Sequence, residues 1–330
     1  MGTRLYIATT LSALALTQSA CAHDVGASGT RNDDLDLTKL KVGDNKYSTS
    51  GAKRGYVYVC QRPNGQPGAQ GSSTPWIDGS SWDYTQKPSV SGSVDWENAT
   101  YRVRRSGSSR LITGNGLPSH ATGVFPIQQS DPAYQYDRNP NSIKATTIDL
   151  TLTAKPKRAS KPSCTSGGAI GIMKSGALFF NALDAGGLDA GAHELQDKCG
   201  GHPQQQGQYH YHALPACIAS GSKSSHSKQI GWAFDGFPIY GPRGDGGEYL
   251  RNSDLDACHG HTHTIKVDGK RQRMYHYHAT MEFPYTLGCY RGTPAQGAVQ
   301  QGGQQGGPPS NGGSPPNGGP PANGGPPPGL

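Results

Sequence analysis

The chain has 330 residues, enough for one large domain or two small ones, and a formal charge of +7 from 30 Lys+Arg against 23 Asp+Glu. It is 33% hydrophobic and 16% charged with 48 Gly and 25 Pro, so a loop- and turn-rich fold is expected. The densest basic run, Lys155 to Lys161, has no interleaved aromatics and reads as a solvated connector, which argues against a nucleic-acid partner.

Residues 1–22 read as an export signal: Arg4 is the positive start, and Leu5 to Leu16 is apolar but too short to span a bilayer. Cleavage after Ala20-Cys21-Ala22 would leave His23 at the N-terminus. A lipobox ending at Cys21 is the second choice, because Gln18 stands where Leu is preferred. A secreted or periplasmic location is therefore expected, with no transmembrane segment. Residues 23–55 are polar and patternless and read as a flexible lead. Gly55 to Cys60 alternates like a strand. Tyr101–Arg104 and Arg110–Thr113 form a hairpin pattern around Ser106-Gly107-Ser108-Ser109, and Thr147–Thr153 alternates strictly. Ala169–Met173, Ala177–Phe180 and Ile230–Phe234 follow as short apolar strands, the last running through an Asp235-Gly236 turn into Phe237–Tyr240. Helical periodicity is confined to Gly191–Lys198, two turns at most. Residues 293–330 contain only Gly, Pro, Asn and other uncharged residues apart from the terminus and read as a disordered tail. The expected fold class is mainly β: one disulfide-braced domain over 56–292 with long loops, little helix and an internal two-fold repeat.

The repeat expectation rests on a tetrapeptide. Tyr209-His210-Tyr211-His212 follows Cys199-Gly200-Gly201-His202, and Tyr275-His276-Tyr277-His278 follows Cys258-His259-Gly260-His261; Cys217 and Cys289 come after each copy. On a strand, side chains alternate faces, so each copy puts two imidazoles on one side and two phenols on the other. Two imidazoles at i, i+2 can meet one metal ion. If the copies lie side by side, His210, His212, His276 and His278 converge on a shared, solvent-reachable site, with His202 and His261 in reserve. Asp235 is the expected carboxylate partner, and Tyr209 and Tyr275 are expected to orient ligands. His193, Glu194, His259, His263, Asp254, Asp256 and Glu282 lie near in sequence. A tyrosine–histidine packing ladder is the competing reading.

Of 7 Cys, six remain after the signal, and an even number in an exported chain suggests three disulfides out of 15 pairings. The duplicated order favours Cys199–Cys217 and Cys258–Cys289, leaving Cys60–Cys164. Oxidised cysteines remove soft ligands, so a nitrogen-rich site favours a transition metal, copper before zinc.

Phe180–Gly187, Gln208–His212, Gly231–Gly241, Asp254–His261 and Tyr275–His278 with Phe283-Pro284-Tyr285 together resemble the YHYH-domain family of exported proteins; Asn115–Pro118 and Asn139–Asn141 fit its upstream half. The resemblance covers roughly residues 100–292. It implies export and a single domain, and it transfers no reaction. Transition-metal binding outside the cytoplasm is the leading function. A metal-dependent extracellular hydrolase or oxidase is the first alternative, and a structural or cell-surface domain without metal the second. The expected partners are the metal ion and an extracellular small molecule or cell-wall component.

Overall fold

The computed structural model describes residues 35–69, 74–218, 221 and 223–298. The expected signal and most of the expected tail lie outside these residues. Five two-residue strands come first: β1 (Leu40–Lys41), β2 (Tyr47–Ser48), β3 (Val57–Tyr58), β4 (Ile77–Asp78) and β5 (Ser81–Trp82). They form a three-stranded sheet, β1-β5-β4, and a two-stranded one, β2-β3. The stretch read as a flexible lead is therefore part of the fold from residue 35 on: Leu40 and Val42 are buried beside Trp76 and Trp82.

β6 (Tyr101–Ser106), β7 (Ser109–Gly114) and β8 (Ile148–Thr153) make an antiparallel three-stranded sheet in the order β6-β7-β8. The hairpin turns tightly at Gly107, whose φ of +59° suits the residue. On β8, Ile148, Leu150 and Leu152 are buried while Asp149 and Thr151 face out, the period of a half-buried strand.

The main sheet has eight strands: β9 (Ala169–Met173), β10 (Leu178–Phe180), β11 (Gly201–Pro203), β12 (Tyr209–Tyr211), β13 (Gln229–Ala233), β14 (Pro238–Tyr240), β15 (Gly260–Val267) and β16 (Lys270–His278). Their order is β11-β12-β10-β9-β13-β14-β16-β15. β9 lies at the centre and is buried along its whole length, which is why it reads as a continuous apolar run. β12 runs parallel to β10 and antiparallel to β11; β16 runs parallel to β14 and antiparallel to β15. The β15–β16 hairpin closes on Asp268 and Gly269, both with positive φ (48° and 77°), as a two-residue turn requires. The one-turn helix α1 (Ala190–His193) sits between β10 and β11, capped by the Asp189 side chain. Arg110 of β7 is buried, stacks on Trp232 of β13 at 3.4 Å and pairs with Asp268 at 2.7 Å. That contact ties the three-stranded sheet to the main one, over a core of Ile112, Leu150, Leu152, Ile170, Ile172 and Phe234.

The expected fold class needs correction. The described residues are mainly β, poor in helix and rich in loops, and three bridges brace them: Cys60–Cys164, Cys199–Cys217 and Cys258–Cys289. No clear two-fold repeat organises the domain. The sheets built from residues 40–153 have no second copy, and β11 and β12, of three residues each, stand against β15 and β16, of eight and nine.

Candidate metal centres

Alternation along β12 and β16 sorts the two residue types. His210 and His212 turn to one side, with Nε2 atoms 3.0 Å apart, while the Tyr209 and Tyr211 rings meet edge-on at 5.4 Å. The Tyr209 hydroxyl donates to the Asp197 carboxylate at 3.0 Å. The same carboxylate accepts from the backbone N–H of Cys199 at 2.9 Å and of Gly201 at 3.3 Å. The turn so fixed leads directly into His202. Asp256 does the same for the second copy, accepting from Tyr275 Oη at 2.9 Å, Cys258 N at 2.9 Å and Gly260 N at 3.3 Å, just ahead of His261. The phenols thus hold the turns that present a third histidine.

The first centre brings together His202, His210 and His212, all buried. His210 Nδ1 donates to the Gln208 carbonyl at 3.1 Å and His212 Nδ1 to the Asn181 carbonyl at 2.6 Å. A carbonyl only accepts, so both rings carry their proton on Nδ1 and present a bare Nε2. Glu194, the residue capping the end of α1, places Oε2 3.4 Å from Nε2 of both His202 and His212. Neither that oxygen nor either nitrogen of His202 has a hydrogen-bond partner, although all three are buried. Burial holds the His212 imidazole down at about 4 and pushes His202 and His210 well below the usual range. Burial, with Asp184 and Asp137 nearby, raises the Glu194 carboxyl well above the ordinary carboxylate range.

The second centre gathers His226, His261, His276 and His278. β15 and β16 supply three of them, His261 lying directly opposite His276 in the ladder. His226 comes from the loop before β13. The Nε2 atoms of His276 and His278 each lie 3.1 Å from Nε2 of His261, and His226 Nε2 is 3.2 Å from His276 Nε2. The Nδ1 atoms of His226, His276 and His278 donate to the carbonyls of Ser227, Met274 and Gly241. Burial, then the neighbouring His261, holds His276 down at about 2.

Two of these contacts conflict unless a cation joins them. His210 with His212, and His226 with His276, are pinned at Nδ1 and point Nε2 lone pairs at one another across 3.0 and 3.2 Å, and the burial of His210, His212 and His276 opposes relieving the repulsion with a proton. A tetrahedral ion bound to nitrogen at about 2.0–2.1 Å has ligand–ligand edges of about 3.3–3.4 Å. The observed 3.1–3.2 Å edges need widen only slightly. The carbonyls held by the Nδ1 atoms of His210, His212, His226, His276 and His278 are the usual support of metal-binding histidines.

The shared site expected from the sequence does not form. β10, β9, β13 and β14 lie between β12 and β16, five strand spacings or about 24 Å along the sheet. His210 and His212 assemble with His202, and His276 and His278 with His261, so all six histidines enter clusters, but in two separate ones. The first cluster is buried rather than solvent-reachable; the second is half-buried on its His226 and His261 side. Asp235 is no ligand partner: it accepts from Tyr277 Oη at 2.5 Å and from the backbone N–H of Phe237, Arg291 and Gly292. Tyr209 and Tyr275 face their aspartates, not the metal side. His259 bonds Thr280 at 3.1 Å, and His193 pairs with Asp44 at 3.0 Å. Sequence reasoning missed His226, a single histidine in a Ser/Lys loop with no periodic signal. Glu194 was marked only as the neighbour of His193; an Asp-capped turn ending in a carboxylate beside the Cys-x-Gly-His stretch is the signal that could have singled it out.

A β domain with two separate imidazole clusters is the class of protein defined so far. The family model described as YHYH protein matches residues 149–250, and over that segment the chain carries a YHYH domain. That span runs from β8 past β14 and takes in the first centre's ligands and His226; His261, His276 and His278 lie beyond it, so the match is narrower than the roughly 100–292 suggested by the motifs. Comparisons with curated proteins and with solved structures give no match.

Proposed function

We propose that this YHYH-domain protein binds transition-metal ions outside the cytoplasm, one at each histidine centre, copper in preference to zinc. The observation that carries the reading is the convergence of bare Nε2 atoms whose Nδ1 partners are backbone carbonyls. Nitrogen donors suit copper and zinc, and the bridged cysteines leave no thiolate to compete among the described residues. Export through residues 1–22 belongs to the same reading and accords with three disulfides. Four nitrogens in the second centre favour holding an ion over catalysis. The first centre is where a hydrolase or oxidase would be seated, because three histidines and one carboxylic acid leave less of the ion's surroundings fixed.

Elemental analysis of untagged protein recovered from the periplasm or medium tests the reading. It should carry about two ions per chain, and its N-terminal residue should be His23. Protein that arrives without metal and takes up neither copper nor zinc would sink it.

A further inference from the structure

His226 belongs to two groups of ligands at once. One is the four-nitrogen second centre; the other is His226, Asp245 and His263, whose ligand atoms also lie within 4.8 Å of one another. His263 follows His261 by two residues on β15, so both rings leave the strand on the same side. Its Nε2 is 2.6 Å from Asp245 Oδ2, and its ring stacks beside His226 with centroids 5.9 Å apart and planes 14° from parallel. Exposure falls steadily inward: the Asp245 side chain is 60% exposed, His263 32%, and His276 and His278 are fully buried.

We infer that His226, His263 and Asp245 form an outer metal station through which an ion reaches and leaves the second centre. The inference rests on the metal-binding reading of that centre. One nitrogen decides how the station works. His226 Nδ1 is committed to the Ser227 carbonyl at 2.8 Å, so Nε2 is the donor it has for either group. An ion on the outer ligands and an ion on the inner ones would compete for it. The outer group is therefore a transfer point and not a further storage site. The His226 ring need not travel: it already offers a ligand atom within 4.8 Å of each set, and the ion moves between them by exchanging one ligand at a time. Asp245 supplies the negative charge that draws a hydrated cation from solvent, and the strand-borne histidines complete its dehydration. His226 is the one inner ligand carried by a loop, which suits the ligand that must serve both positions.

Zinc release to an excess of chromophoric chelator, followed by stopped flow, tests the inference in the full chain. The phase belonging to the second centre is the one absent in His276→Ala. In His263→Ala and in Asp245→Asn that phase should slow about tenfold, the scale of losing a supporting contact at a metal site. The zinc content should stay at two per chain, and the equilibrium affinity should stay unchanged. Both positions are solvent-facing, and unchanged thermal unfolding of the zinc-free variants shows that they fold. Unchanged release rates would overturn the station. So would a fall from three ions to two in the variants, which would make it an independent site. Wild-type protein that binds no zinc at all would instead remove the proposed function, a failure seen before any rate is measured.

Discussion

Metal-linked stability offers the most direct quantitative test of two separate centres. An ion that binds only the folded chain stabilises it by RT ln(1 + [L]/Kd), about 2.7 kcal/mol when free ion is at 100 times Kd. For domains of this size, roughly 1 kcal/mol moves Tm by about 2–4 °C, so each filled centre should raise Tm by about 5–11 °C. Differential scanning calorimetry of metal-free protein with copper or zinc added should therefore show a rise twice that of one centre. His276→Ala removes a strand-borne ligand from the second centre, and His212→Ala removes from the first the ligand just past the end of β12. Each truncation also opens a cavity that lowers the metal-free Tm, but the quantity read is the further rise on adding metal. Each variant should keep about half of it and bind one ion. If either variant loses the whole response, the centres act as one and the strand order has been misread; if wild-type protein shows no response, the lone-pair argument fails.

Three further outcomes follow from single side chains. His259 is buried outside both centres, and its pKa is held down at about 3. Between about pH 6.5 and 3 the unfolded chain binds a proton there that the folded chain does not, so its contribution is complete above pH 6.5 and is lost on acidification. Asn tolerates the positive φ of 70° at this position, and in urea unfolding between pH 7 and 5 His259→Asn should lose about 2 kcal/mol less than wild type. A Cβ on Gly68 would overlap Glu194 Oε1, so Gly68→Ala should displace that carboxylate and weaken the first centre about 10–100-fold while leaving the second unchanged, as read by isothermal titration. Tyr209→Phe removes the only side-chain donor shown for the buried Asp197 carboxylate and should cost about 1–3 kcal/mol in denaturant unfolding; a neutral effect would deny the phenol its role in holding the His202 turn.

Local pattern carried much of the fold into the sequence. The strict alternation of Ile148 to Thr153, the apolar run of β9 and the Gly107 turn all fall where period and turn chemistry place them. Residues 35–55 did not, because what orders them is distant: Gly43 N donates to Asp189 and Asp44 meets His193, contacts about 146 and 149 residues away in the chain. The histidine pairs were legible from a period of two, and so was the third histidine of each set. Their grouping was not. A tetrapeptide occurring twice suggests a meeting point, but only the pairing of β10, β9, β13 and β14 reveals how much sheet separates the copies. Asp235 shows the same limit: a turn aspartate beside aromatics looks like a ligand's partner, yet the groups that claim it are Tyr277 and the backbone of residues 291 and 292.

The breadth of sheet between the clusters also restricts what chemistry the molecule could host. Hydrolases and phosphatases that grip one substrate between paired ions keep those ions about 3.5–4 Å apart. Across five strand spacings, about 24 Å, no single bridging oxygen could touch ions held at both clusters. An ion held at either one would work without help from the other.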